Sequence, residues 1–226
     1  MVLSSLMVKR DVDALLIVPP FASLDKPALG AHILQACARE AGFTVATFYA
    51  NLLFAAEIGE ANYLAVCFNS SSELIGERLF AASAYAVPPL GRSAIDRTAL
   101  PIRSSVRGGV QLDLPNLQLL EQRAATWLDD LTSAVLRLDC KLVGCSTTFQ
   151  QTAASVALLK RIKHARPEIV TIIGGANCVV GPSISQRRRA SLLCRCAPKV
   201  DRDRFGRSDH TRQSAGRSDG ADRDHE

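Results

Sequence analysis

Val170-Thr171-Ile172-Ile173-Gly174-Gly175-Ala176-Asn177-Cys178 is the stretch on which the fold turns. Its first four residues are β-branched and mostly apolar, as in a strand buried on both faces of a parallel sheet. The two glycines that follow let a ligand approach the backbone closely. Beyond Cys178 the pattern stops. From Val179 to Glu226 the chain mixes Arg, Asp, Ser and Gly with almost no apolar periodicity, as in Arg187-Arg188-Arg189, Arg207-Ser208-Asp209 and Arg217-Ser218-Asp219. This composition predicts disorder.

Toward the N-terminus the order is regular. Glu168 to Ile173 reads as a fourth strand, and Pro167 ends a helix over Thr152 to Ala165 that turns Val156, Leu159 and Ile162 inward. Leu142 to Cys145 is a third strand with Ser146-Thr147-Thr148 as its polar exit loop. Before it, Leu117, Leu120, Ala124, Trp127, Leu131, Val135 and Leu138 form a long apolar stripe after Asn116, a predicted N-cap. The stripe is expected to pack on a sheet, with Trp127 in the core rather than stacked on a cofactor.

At the start of the chain, Ala14 to Val18 is a short buried strand ended by Pro19-Pro20. Leu29, Ile33, Ala36, Cys37 and Ala41 then recur at helical spacing, Gly42 is a stop, and Phe43 to Tyr49 gives a second strand. Strand, helix, strand in this order begins a doubly wound sheet. A predicted helix over Leu74 to Ala86 and loops at Pro88-Pro89, Pro101 and Gly108-Gly109 mark an insertion. The expected fold is α/β, a Rossmann-like doubly wound and mostly parallel sheet over residues 11–178, with a helical insertion at about 55–115 and a disordered tail over 179–226.

Composition narrows the function classes. The chain has 226 residues, 47% of them apolar, ample for a packed core. Eleven basic and seven acidic residues lie from Val179 onward, so this segment carries four of the net +5 charges. The two signs are interleaved there and Phe205 is the segment's only aromatic residue, so nucleic acid is not an expected partner. No apolar run approaches membrane-spanning length, and Met1 to Met7, followed by Lys9, Arg10 and Asp11, is too short for a secretory signal. Cys37, Cys67, Cys140, Cys145, Cys178, Cys194 and Cys196 are an odd, scattered set, which implies a reducing, cytoplasmic setting.

Ligands of open α/β sheets bind beyond the carboxyl ends of the strands. Three loops belong there: Ser23 to Gly30, Cys145 to Thr148, and Gly174 to Cys178. Hydroxyls in the second can hydrogen-bond a bulky polar ligand, and missing side chains in the third let its body lie against the sheet. Ordinary strand-to-helix turns are the plain alternative. Cys145, with His164 on the following helix, has the ingredients of a nucleophile, but no glycine-flanked elbow surrounds it, and a buried structural thiol is expected. Asp129-Asp130, and Glu57 with Glu60, read as solvated helix faces.

Asp25-Lys26-Pro27-Ala28-Leu29-Gly30, Ser146-Thr147-Thr148 and Gly174-Gly175 resemble, in order and spacing, the cobalamin-binding domain pattern Asp-x-His-x-x-Gly, Ser-x-Leu, Gly-Gly. More specifically, Asp13 to Leu16, Pro19 to Leu24, Tyr49 to Phe54 and Thr171 to Cys178 resemble the N-terminal region of vitamin B12-dependent radical SAM proteins that mature ribosomally made peptide natural products. The resemblance covers about residues 11–178 and implies a B12-binding type of sheet. It also implies a cobalamin cofactor held by Ser23, Asp25, Gly30, Ser146, Thr147, Thr148, Gly174 and Gly175. Pro27 stands where the wider family has the histidine that gives cobalt its lower axial nitrogen, and proline has no such lone pair. Versions without this histidine are usual among the radical SAM members. His32 falls on the following helix, where helical geometry is expected to turn it away from the loop.

A radical SAM barrel holds a [4Fe–4S] cluster on Cys-x-x-x-Cys-x-x-Cys. The chain has no such triplet; Cys194-x-Cys196 is too short, and Cys140 and Cys145 flank a single strand. Neither the cluster nor SAM is therefore expected. The expected function is a cobalamin-binding module, the N-terminal part of a parent enzyme of radical alkylation such as methyl transfer, not catalytic by itself. Its partners would be cobalamin and a separate radical SAM domain or precursor peptide. The loss of pattern after Cys178 motivates the expectation that the tail arises from a frameshift or rearrangement of a longer gene. Two other readings stay open: a stand-alone corrinoid or small-ligand binding protein with a separate catalytic partner, and a non-functional gene remnant.

Overall fold

The computed structural model describes residues 11–69, 73–92, 110 and 112–178. The predicted tail, Cys194 and Cys196, Pro101 and Gly108-Gly109 lie outside the described residues. Strands β1 (Val12–Val18), β2 (Val45–Tyr49), β3 (Cys140–Ser146) and β4 (Val170–Gly174) form one all-parallel sheet in the order β2-β1-β3-β4. Helix α1 (Leu29–Glu40) links β1 to β2 and α6 (Thr152–Ala165) links β3 to β4. Between β2 and β3 run α2 (Ala50–Ile58), α3 (Glu60–Cys67), α4 (Ile75–Tyr85) and the long α5 (Leu114–Leu136). The chain is thus α/β with a parallel sheet, an arrangement compatible with a Rossmann-like fold.

Register divides the sheet into two unlike faces. Ala14, Leu16 and Val18 of β1 sit beside Val45, Thr47 and Tyr49 of β2. Ala14 and Leu16 also align with Leu142 and Gly144 of β3, and Leu142, Gly144 and Ser146 align with Val170, Ile172 and Gly174 of β4. Partners in parallel register point to the same side. These residues make one face, against which α1 packs near β2, its Gln35 Nε2 donating to the Val45 carbonyl at 2.8 Å. The alternate residues Leu15, Ile17, Val143, Cys145 and Ile169 belong to the main core with α2 to α6.

That core is aromatic at its centre. Phe54 lies 4.8 Å from Trp127 and 5.3 Å from Phe80, centroid to centroid, and Trp127 is buried among them as expected. Helix α5 packs chiefly on α2, α4 and α6, and Trp127, Leu131 and Val135 of its stripe share one core with Leu15, Ile17 and Val143 of the strands.

Four expectations are corrected. Strand β4 is not buried on both faces, since Val170 and Ile172 are exposed on the side that carries α1. Asn116 is not the N-cap of α5: Asp113 is, its carboxylate accepting from the Asn116 N–H at 2.9 Å, and Pro115 fits the first turn, where no N–H is needed. Helices α2 and α3 occupy a stretch with no predicted element. Leu29, Ile33 and Cys37 of α1 are exposed rather than packed, because Ala31 and the polar Gln35 and Arg39 are what α1 turns toward the sheet.

Candidate functional site

The strand ends form a row. Val18 pairs with Tyr49, and Ser146 pairs with Gly174, one residue beyond the Ile17–Cys145 pairing. Tyr49, Val18, Ser146 and Gly174 therefore share both a level and a face at the carboxyl edge. The strand order changes direction between β1 and β3, the topological switch point where α/β sheets hold ligands.

The predicted residues divide by what they already do. Gly174 is exposed, and a Cβ added there would meet nothing within 4 Å. Gly175 is different: its φ is 116°, and a Cβ would lie 2.1 Å from the Thr147 carbonyl oxygen. The chain itself requires that glycine, whatever the ligand. Thr147 is fully buried, with its N–H and hydroxyl donating to the Gly174 carbonyl at 2.6 and 3.0 Å. Its hydroxyl clamps the two loops together. Thr148 is exposed, and its hydroxyl donates to Gln151 Oε1 at 2.9 Å. Ser146 is half-buried and lies on the open face beside Gly174.

The β1 loop makes a second group. The Ser23 hydroxyl donates to Asp25, which holds that exposed carboxyl below the usual carboxylate range. Residues 23–27 with Tyr49 and Leu52 line a shallow depression of about 220 Å³. Pro27 is in its wall and offers no nitrogen to a metal. Gly30 lies in the first turn of α1, exposed, with nothing within 4 Å of an added Cβ.

His32 departs from expectation. It is exposed, but its Nε2 lies 2.7 Å from the Tyr49 hydroxyl, which also accepts from the Ala28 N–H at 3.1 Å. The ring is turned back to the end of β2 and serves the loop. Sequence reasoning gave Tyr49 no role at the site; the signal for it is its place as the last residue of a predicted strand.

The thiols and carboxylates behave as solvated or structural groups. Burial pushes the Cys145 thiol up to about 12, far from a ready thiolate, and does the same to Cys67. His164 is exposed on α6. Asp129, Asp130, Glu57 and Glu60 are exposed on helices, with Asp129 paired to Arg161 at 2.8 Å. Cys178 is half-buried, its Sγ 3.6 Å from the Thr147 hydroxyl. Among the described residues no group of three His, Cys, Asp or Glu could hold a metal ion, and no helix is long and apolar enough to cross a membrane. No protein-family model, curated protein or solved structure matches the chain.

Proposed function

We propose that the chain is a cobalamin-binding module of the B12-binding type, which presents its ligand to a separate radical SAM domain or precursor peptide. One observation carries the reading: Ser146 and Gly174 are paired at the switch-point edge of the sheet, on the same face, and the space over Gly174 is free. A broad, flat ligand needs such a bed, with a hydroxyl beside a glycine and no side chain rising between them. Tyr49 extends the row, and the Ser23–Asp25 loop supplies hydrogen-bonding groups at its β1 side.

The residues fit a corrinoid bound without a lower nitrogen from the protein. Pro27 has none to give, and the His32 nitrogen is already engaged with Tyr49. Cobalamin, when bound, supplies alkyl-transfer chemistry; the chain's own residues bind it and fix its orientation.

The test is titration of the full chain with hydroxocobalamin, followed by the corrin absorption band. Saturable uptake is expected in the wild type, with loss of most uptake in Gly174→Trp, whose added side chain leaves the backbone into open space. No uptake by the wild type would sink the reading, and equal uptake by Gly174→Trp would move the ligand away from this edge.

A further inference from the structure

Two non-glycine residues adopt left-handed backbone just past the strands at the switch point: Phe21 (φ 70°) after β1 and Gln150 (φ 61°) after β3. Both are buried, and neither residue type favours this conformation. Such geometry persists only where the surroundings over-determine it. Here the surroundings belong to the insertion, and its α4 end touches both residues. A Cβ on Gly76, in the first turn of α4, would lie 2.6 Å from Phe21 Cδ2 and 3.0 Å from Gln150 Cβ, so the three residues meet at one point.

Hydrogen bonds lock each side of the junction. The Gly76 N–H donates to Gln150 Oε1 at 2.6 Å, and the next residue, Glu77, accepts from the Thr152 and Ala153 N–H groups at 2.8 and 2.6 Å, capping α6. On the β1 side the Phe21 ring enters the insertion's aromatic cluster, 5.3 Å from Tyr63. The Tyr63 hydroxyl donates to the Ala22 carbonyl at 2.7 Å, and Asn51 Nδ2 donates to the Ser23 carbonyl at 3.1 Å. The segment between β2 and β3 thus grips both exit loops, Ala22–Asp25 through α2 and α3 and Thr147–Gln151 through α4, and Phe21 and Gln150 meet on Gly76 of α4.

We infer that Phe21, Gly76 and Gln150 form a positioning junction by which α4 sets the spacing of the two exit loops at the switch point, so that the insertion prepares the strand-end site for its ligand. The loop-setting part stands on the geometry alone; the ligand part rests on the cobalamin reading. The junction makes one distinctive demand: a change on the β3 side must loosen the β1 loop as well, across the interior.

Gly76→Ala and Gln150→Gly of the full chain test it. Gln150→Gly relieves the left-handed strain while deleting the acceptor for Gly76, so it guards against a Gly76→Ala chain that fails to fold. Chymotrypsin reads the loops directly, since Leu24 lies in one and Phe149 in the other, with exposed Phe43 outside both as an internal standard. In both variants cutting after Leu24 is expected to rise by about tenfold relative to Phe43, the scale of one lost buried hydrogen bond, and in Gly76→Ala, which leaves the Phe149–Gln150 bond unchanged, cutting after Phe149 should rise with it. The thermal midpoint should fall by no more than about 3–6 °C, the global share of the same loss, and hydroxocobalamin affinity should fall about tenfold. Faster cutting after Phe149 alone, or after neither, overturns the junction. Loosened loops with unchanged affinity overturn its role toward the ligand. A wild type that takes up no hydroxocobalamin overturns the cobalamin reading, and the cutting pattern still decides the junction.

Discussion

The two faces of the sheet were built under different demands. One is sealed by α2 to α6 around Phe54, Phe80 and Trp127, with Phe54 fully buried. The other carries α1 over β2 and β1, while Ile172 on β4 remains 48% exposed and Val170 37%. A Cβ on Gly144 would lie 3.2 Å from Leu16, 3.9 Å from Leu142 and 4.0 Å from Ile172, so these side chains converge over a glycine to make a shallow apolar floor. The floor runs up to Ser146 and Gly174. Stability is concentrated on the sealed face, and the groups free to meet a ligand lie at the edge of the open one.

The sharpest way to break this comparison is to mutate across it. Phe54→Ala should cost about 3–5 kcal/mol in urea denaturation, since it empties the middle of the aromatic cluster. An effect below about 1 kcal/mol would mean that the sealed face does not carry the fold.

Acid should act at the opposite end of the strands. The Thr44 N–H donates to the Asp13 carboxylate at 2.9 Å, with Lys141 2.9 Å from its other oxygen, and these hold the Asp13 carboxyl well below the usual carboxylate range. The unfolded-state value is about 3.9, so the stabilisation is complete above it and is lost as pH falls through the depressed folded value. Asp13→Asn should lower the melting temperature at pH 7 and flatten its fall in acid. An unchanged acid profile would mean that this cluster is not what responds.

A smaller effect is expected on the open face. Ile172→Lys should change stability by about 0.5 kcal/mol or less, because the side chain already meets solvent. A loss comparable to Phe54→Ala would show that this face is covered in solution. The smallest effect belongs to His32→Ala. On the proposed cobalamin reading the corrin spectrum of the loaded protein should not change, since the His32 ring is bonded to Tyr49; a shift in that spectrum would give His32 a place on cobalt.

Sequence made some of this legible and hid the rest for identifiable reasons. The strands and α6 could be read because parallel strands are continuous apolar runs and Pro167 punctuates the helix. Helices α2 and α3 could not, because Ala50 to Ile58 is apolar nearly all round, which removes the helical period. At α5, Pro115 stands between the true cap and the start of the stripe, and Asn116 mimics a cap from inside the first turn. At the site, loop order pointed to Ser146 and Gly174, but only register shows that they are neighbours on one face. The different uses of Gly174 and Gly175 are invisible in a Gly-Gly pair. So is the Phe21–Gly76–Gln150 meeting, since Phe and Gln carry no turn signal and contacts distant in sequence impose their backbone.

The order β2-β1-β3-β4 also sets a timetable for synthesis. Strand β1 can pair with β2 soon after both leave the ribosome, but its other edge waits for β3, whose first residue is Cys140 against the Tyr49 that closes β2. At about 5–20 residues per second that wait lasts about 5–20 s. During it β1 has no partner on its central edge. Helices α2 to α5 emerge in the same interval, and their early packing on Leu15 and Ile17 would shelter the half-built sheet until its centre is complete.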